Sequence, residues 1–343
     1  MKTRNVLSLL LLLAAAAMIP AGAEAGSPTR RGTAGAMELL IPVGSRGSAT
    51  GGAMNAVASG VDAIHWNPAG MSQTRGVEAM FSTLSYLADI QVNYFAVASD
   101  FGDIGTFGLS LRSLDFGDIP ITTVENPEGT GGTFSPNFIS GSLSYARAFT
   151  DRILGGFSVK LVSERIMRTS ATGIGFDLGV QYLSETGLRL GVTLKNLGPE
   201  MSYEGPDLES FVGLPSQEPG SRDRALRLPG AGFELPSVLE IGAGYRHMFD
   251  EENAFLAMGN FQNNNFAADE FRFGLEYAWR DLLFLRGGYM LLGQNNAEDN
   301  IYGVSLGAGV TVPVSGARIG FDYAYRQADF FDSNHWITVR FAL

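Results

Sequence analysis

From Gly76 to Leu343 the chain repeats one pattern, short segments in which apolar side chains alternate with glycine, polar or charged ones. Successive side chains on a strand point to opposite faces, so alternation over many residues gives a strand with one apolar and one polar face. Phe271, Phe273, Leu275, Tyr277 and Trp279 alternate with Arg272, Gly274, Glu276 and Ala278. Ala317, Ile319, Phe321, Tyr323 and Tyr325 alternate with Arg318, Gly320, Asp322, Ala324 and Arg326. The same dyad recurs at Ile174, Phe176, Leu178, Val180 and Tyr182, at Leu188, Leu190, Val192 and Leu194, and at Tyr302, Val304, Leu306, Ala308 and Val310. The polar face is too rich in glycine for a good solvated surface. The other is crowned by Tyr and Trp, as the lipid-facing side of a membrane barrel is. A soluble sandwich would bury the bulky face instead. The pattern therefore predicts an all-β fold, a transmembrane antiparallel β-barrel.

Composition agrees. The chain is 45% hydrophobic with 44 Gly, 23 Phe and 11 Tyr, a mixture that suits strands better than helices. Lys2 and Arg4 precede an apolar stretch from Val6 to Ile19 and the small residues Ala21, Gly22 and Ala23. This reads as a Sec signal peptide over residues 1–25, cleaved after Ala23 or Ala25, since the apolar stretch is short for a bilayer span. With no cysteine there is neither a lipid anchor nor a disulfide. The net charge of -11 and the lack of a basic stripe exclude nucleic acid as a partner.

Strands are predicted near 76–86, 90–101, 104–115, 137–149, 152–163, 170–183, 186–197, 235–248, 253–262, 268–280, 281–292, 300–312, 315–327 and 332–343, about fourteen. An even number suits a bacterial barrel. Tight turns at Gly102-Asp103, Thr150-Asp151, Ser184 to Thr186, Asp250-Glu251, Arg280-Asp281 and Pro313 to Ser315 alternate with longer loops at 116–136, 164–169, 198–234, 263–267, 293–299 and 328–331. Short turns face the periplasm in such barrels, which puts both chain ends on the periplasmic side of the outer membrane of a diderm bacterium. On the last strand Ile337, Val339, Phe341 and Leu343 share the lipid-facing side, a C-terminal signal of the kind the barrel-assembly machinery handles.

Residues 26–75 break the pattern. Here lie the small-residue run from Gly44 to Ala58, with a short helix expected over 53–63, then Asp62-Ala63 and Trp66-Asn67-Pro68-Ala69-Gly70. In the run from Gly47 to Ala58, in Asp62-Ala63 and above all in Trp66 to Gly70, followed by about fourteen strands, the chain resembles the PorV/PorQ family, which is similar in turn to the FadL-type outer-membrane transporters. The resemblance implies an N-terminal hatch over 26–75 that plugs a barrel spanning 76–343, with Asn67, Pro68 and Ala69 holding it, and Asp62, Trp66 and Gly70 beside them. Asn-Pro also simply makes a turn into the first strand.

Parity turns Arg112, Lys160, Asp177, Arg189, Lys195, Glu240 and Arg246 inward, together with Arg272, Glu276, Arg286, Arg318, Asp322, Arg326 and Arg340. Buried charges persist when paired, so these form a network with the hatch residues Asp62 and Arg46, or else an anion-attracting lumen. His65, His247 and His335 lie far apart, with no second ligand at metal spacing, and no nucleotide or catalytic motif is present. Neither an enzyme nor a bound cofactor is expected. Three readings remain, the blandest a structural barrel that only holds partners or fills membrane. The resemblance implies a component that binds exported proteins in type IX-like secretion. The alternative is an outer-membrane channel for hydrophobic molecules such as fatty acids. Either would use the longest loop, where Phe211, Val212, Leu214, Leu226 and Leu228 are the candidate contacts for cargo or a lipophilic ligand.

Overall fold

The structure is a computed structural model that describes residues 30, 32–212, 224–293 and 300–343. The predicted signal peptide, Leu214 and the tip of the loop at 294–299 lie outside the described residues. Fourteen strands close into one antiparallel barrel. They are β1 Val77–Ser85, β2 Gln91–Asp100, β3 Thr106–Asp115, β4 Asn137–Ala148 and β5 Ile153–Ile166. Next come β6 Thr169–Leu183, β7 Leu188–Leu197, β8 Val238–Met248, β9 Asn253–Asn264 and β10 Glu270–Trp279. β11 Leu283–Leu292, β12 Tyr302–Val314, β13 Ala317–Ala328 and β14 Asn334–Ala342 complete it. Each strand pairs with its sequence neighbour, and β14 closes on β1 from Glu78 opposite Ala342 to Ser85 opposite His335. Closure leaves no unpaired edge, the condition for a sheet to exist in lipid.

The two faces of the wall are inverted relative to a soluble protein. Phe81, Leu109, Leu143, Phe157, Leu178 and Leu275 stand exposed on the outside. Ser82, Ser144, Asp177, Gln181, Thr193 and Glu276 are buried within. Every strand therefore presents an apolar band to lipid and keeps its polar groups in the lumen, the arrangement of an outer-membrane barrel. On β14, Ile337, Phe341 and Leu343 face outward, Val339 is half-buried between them, and Thr338 is buried.

Two sequence expectations about connections need correction. The stretch 164–169 is no long loop, because β5 and β6 run on to Ile166 and Thr169 and turn through Met167, at φ 53°, and Arg168. Pro313 and Val314 belong to β12, and the turn is Ser315-Gly316, both with positive φ, which matches the twist of a two-residue hairpin.

The N-terminal segment lies inside the barrel. Its helices are short, Ser45–Ala49 and Ala63–Trp66, with 3-10 turns at Met37–Leu40, Gly60–Asp62 and Pro68–Gln73. The helix expected over 53–63 does not form. Gly51, Gly52 and Gly60 take positive φ, which keeps the chain coiling in the narrow lumen. Contacts go all round the wall, from Val61 at Glu78 on β1 to Asn55 at Gly191 on β7 and Ser45 at Thr338 on β14.

The first and last described residues lie at opposite ends of the barrel. Leu343 pairs with Val77 at the short-turn end. The first described residues lie at the opposite end: Ala34 bridges Glu234, and Arg30 binds Glu234 and Asn265 among the long loops. The described chain therefore starts at the long-loop end and descends through the lumen to reach β1. Strand counting, which begins at Gly76, carries no information about that path.

Candidate functional site

The candidate site is the interface between the N-terminal segment and the lumen wall. Wall glycines make it possible. A Cβ at Gly288 would lie 2.1 Å from the Gly51 nitrogen, and one at Gly191 2.5 Å from the Asn55 carbonyl oxygen. At Gly179 and Gly156 a Cβ would meet Asn67 and Pro68 at 2.1 and 2.5 Å. The inward glycines that make the polar face a poor solvated surface are the seats of the segment.

Asn67 is fully buried and ties three pieces together. Its Oδ1 accepts from Ala69 N at 3.1 Å, closing the turn before Pro68. Its Nδ2 reaches the Asn55 carbonyl oxygen at 3.0 Å, Asn55 Oδ1 at 2.8 Å and the Val180 carbonyl oxygen of β6 at 3.2 Å. Asn55 Oδ1 also accepts from Thr193, and Gln181 donates to the carbonyls of Asn55 and Ala58. Turn and anchor are thus one structure. Trp66, 2% exposed, lies against Gly47, where a Cβ would meet the indole at 2.4 Å. Ala69 and Gly70 are buried beside it.

A chain of six alternating charges links the segment to one side of the wall. Arg46 binds Glu276 of β10 at 2.9 Å, Glu276 binds Arg286 of β11 at 2.6 Å, and Arg286 binds Asp322 of β13 at 2.5 Å. Asp322 binds Arg340 of β14 at 2.7 Å, and Arg340 returns to Asp62 at 3.2 Å. Both ends sit on the N-terminal segment. Elsewhere Lys160 pairs with Asp177, Lys195 with Glu240, and Arg272 with Glu270. Arg112 donates to the Glu38 carbonyl and to His65 Nδ1. Burial, then Arg112, hold His65 well below the usual imidazole range, so it stays neutral and accepts.

Three residues assigned to the lumen by parity stand apart. Arg318 is exposed, Arg246 pairs with Asp281 at the turn end, and half-buried Arg189 lies near the same end. Parity gives the face of a strand but not the height, and at the rim the inward face meets solvent. Of the loop residues, Phe211 and Val212 lie in a small hairpin of Glu209–Val212 with Arg224–Arg227, where Leu226 is 50% exposed and nearby Leu228 64%.

Sequence reasoning missed Glu38 and Glu164. Both are buried, and the Tyr203 hydroxyl donates to Glu164. Burial first, then Glu164, push the Glu38 carboxyl up to about 7. Glu164 shares inward parity with Lys160 and Val162 and was legible. Glu38 lies in an aperiodic segment and was not.

Three cavities between segment and wall each offer about 20 Å³, room for a water molecule or so. One lies among Ile64, His65, Tyr94, Ser110, Ser142 and Lys160, on the β2–β5 side. Among the described residues no group of His, Asp and Glu is placed to hold a metal ion.

No family model and no curated protein matches this chain. Solved structures do. The Pseudomonas putida toluene transporter TodX superposes with a TM-score of 0.55 at 15% identity, covering 87% of this chain and 96% of its own. The CymD monoaromatic hydrocarbon channel gives 0.54 at 14%, covering 88% and 97%. A Pseudomonas aeruginosa FadL homologue gives 0.50 at 13%, covering 88% and 98%. The chain has the fold of the FadL-type outer-membrane channels.

Proposed function

We propose that this protein is an outer-membrane channel for the uptake of hydrophobic small molecules, with its long loops outside and its short turns in the periplasm. The observation that carries the proposal is how closely the N-terminal segment packs against the wall among the described residues. Cavities of about 20 Å³ admit neither a stream of polar solutes nor a folded protein. A molecule that crosses must displace packing and exchange apolar contacts, which suits a lipophile. The names of the solved neighbours, a toluene transporter and a monoaromatic hydrocarbon channel, support the same class. The exposed Leu226 and Leu228 on the long-loop hairpin offer a first apolar contact.

The reading as a PorV/PorQ-type component that binds exported proteins rests on the motif from Trp66 to Gly70 and on the apolar loop, and it takes second place. Uptake separates the two. Proteoliposomes carrying the barrel are expected to take up labelled toluene or a long-chain fatty acid faster than empty vesicles, while excluding a sugar of similar mass. Equal rates for all probes, with loss of exported proteins from the medium of a deletion strain, would move the assignment to cargo binding.

A further inference from the structure

Four buried polar atoms with no hydrogen-bond partner sit together on two adjacent strands, Nε and Nη2 of Arg326 and both side-chain ends of Asn334. The two residues are register partners across β13 and β14. Arg326 is 9% exposed and Asn334 fully buried. The Arg326 guanidinium lies 3.6 Å from the Tyr302 ring centroid and 5.1 Å from that of Trp336. These rings fix its plane but bring no formal negative charge.

Arg272 lines the same cavity of about 20 Å³, with Ser48 and Ser305. Its charge is met by Glu270 at 2.6 Å. Among the described residues, Glu270 is the one carboxylate ion-paired with either guanidinium, which leaves Arg326 without an ion pair beside a space of one or two small atoms. By contrast Arg46, Arg286, Arg340, Lys160 and Lys195 each have a carboxylate in contact. A buried charge is costly unless compensated, and at membrane depth it marks a functional position.

We propose that Arg326 and Arg272 form a binding site for one small monovalent anion, a halide or a carboxylate head, between the N-terminal segment and the wall of β10–β14. The guanidiniums line the cavity and supply charge, and Asn334 is buried across the register from Arg326, outside the cavity's lining. The site does not depend on which molecule the channel carries.

Trp336 provides the readout. The full-length barrel in detergent is titrated with sodium bromide at an ionic strength held constant with sodium sulfate, following tryptophan emission. A saturable quenching component is expected in the wild type, absent in Trp336→Phe and Arg326→Met, and kept in Arg318→Met at the exposed rim. Reversal of the quenching by chloride identifies an inorganic ion. Reversal by decanoate but not by chloride identifies the carboxylate of a lipophile. Linear quenching in the wild type, or a saturable component that survives Arg326→Met, overturns the site. Thermal unfolding covers a folding defect in the variant: bromide is expected to raise the wild-type Tm and leave that of Arg326→Met unchanged, and a wild-type Tm that ignores bromide contradicts the proposal.

Discussion

The wall of β10–β14 and the wall of β2–β4 hold the same N-terminal segment in different ways. On the first, Glu276, Arg286, Asp322 and Arg340 run between Arg46 and Asp62, and glycines seat the backbone directly, as Gly288 does for Gly51. On the second, apart from Arg112 of β3, which donates to the Glu38 carbonyl and to His65, the contacts are small and soft. A Cβ at Gly108 would meet the flexible ends of Met71 and Ile64, and Ser110 and Ser142 bond to each other at 2.7 Å. Among the described residues no ion pair crosses from the segment to β2–β4. For the proposed channel, a segment that yields to a lipophile and returns to one place is served by a wall that pins it and a wall it can leave.

The largest effect should come from the pinned wall. Asp322 sits between buried Arg286 and half-buried Arg340, and Asp322→Asn leaves both under-compensated, a loss of about 3–5 kcal/mol. Urea unfolding in lipid vesicles should show it, together with raised leak of a small polar dye. A Cβ on Gly288 cannot be absorbed by a side-chain shift, so Gly288→Ala should cost about 1–3 kcal/mol and also raise leak.

Glu38 gives a pH dependence of intermediate size at the outer mouth. Its carboxyl, raised to about 7 from 4.5, holds its proton in the docked segment. That stabilisation is complete below the unperturbed value, declines as the pH rises and is lost through about 7. A spin label at Ala36 should gain mobility between pH 6 and 8, following the titration range that burial gives Glu38. Glu38→Gln should abolish the change, and a label equally mobile at both pH values would remove Glu38 from the mouth. The smallest effect belongs to the soft wall. Gly141→Ala, on the lipid-facing side of β4 between Ile139 and Leu143, should fall within about ±0.5 kcal/mol and leave leak unchanged, because a Cβ there displaces nothing.

Much of the wall was legible because a strand in lipid has no alternative to strict alternation. All fourteen barrel strands form within a few residues of the expected positions. Parity also turned Glu276, Arg286, Asp322 and Arg340 inward, and the surplus of charge there made pairing with Arg46 and Asp62 the physical expectation. Two features follow no period and were not legible. The course of residues 32–42 through the long-loop end depends on pairing between Ala34 and Glu234, 200 positions apart. The height of Arg246 and Arg318 at the rim depends on barrel tilt, which alternation does not encode.

The central claim is that lipophile transport needs the segment to move away from the soft wall. The chain has no cysteine, so a single reducible tether can test this. Ile64→Cys with Gly108→Cys places the pair where a Cβ on Gly108 of β3 would lie 3.1 Å from Ile64 Cγ1 of the segment. The account predicts that toluene uptake into proteoliposomes stops when the tether is oxidised and returns on reduction. Uptake at the same rate in both states would contradict it.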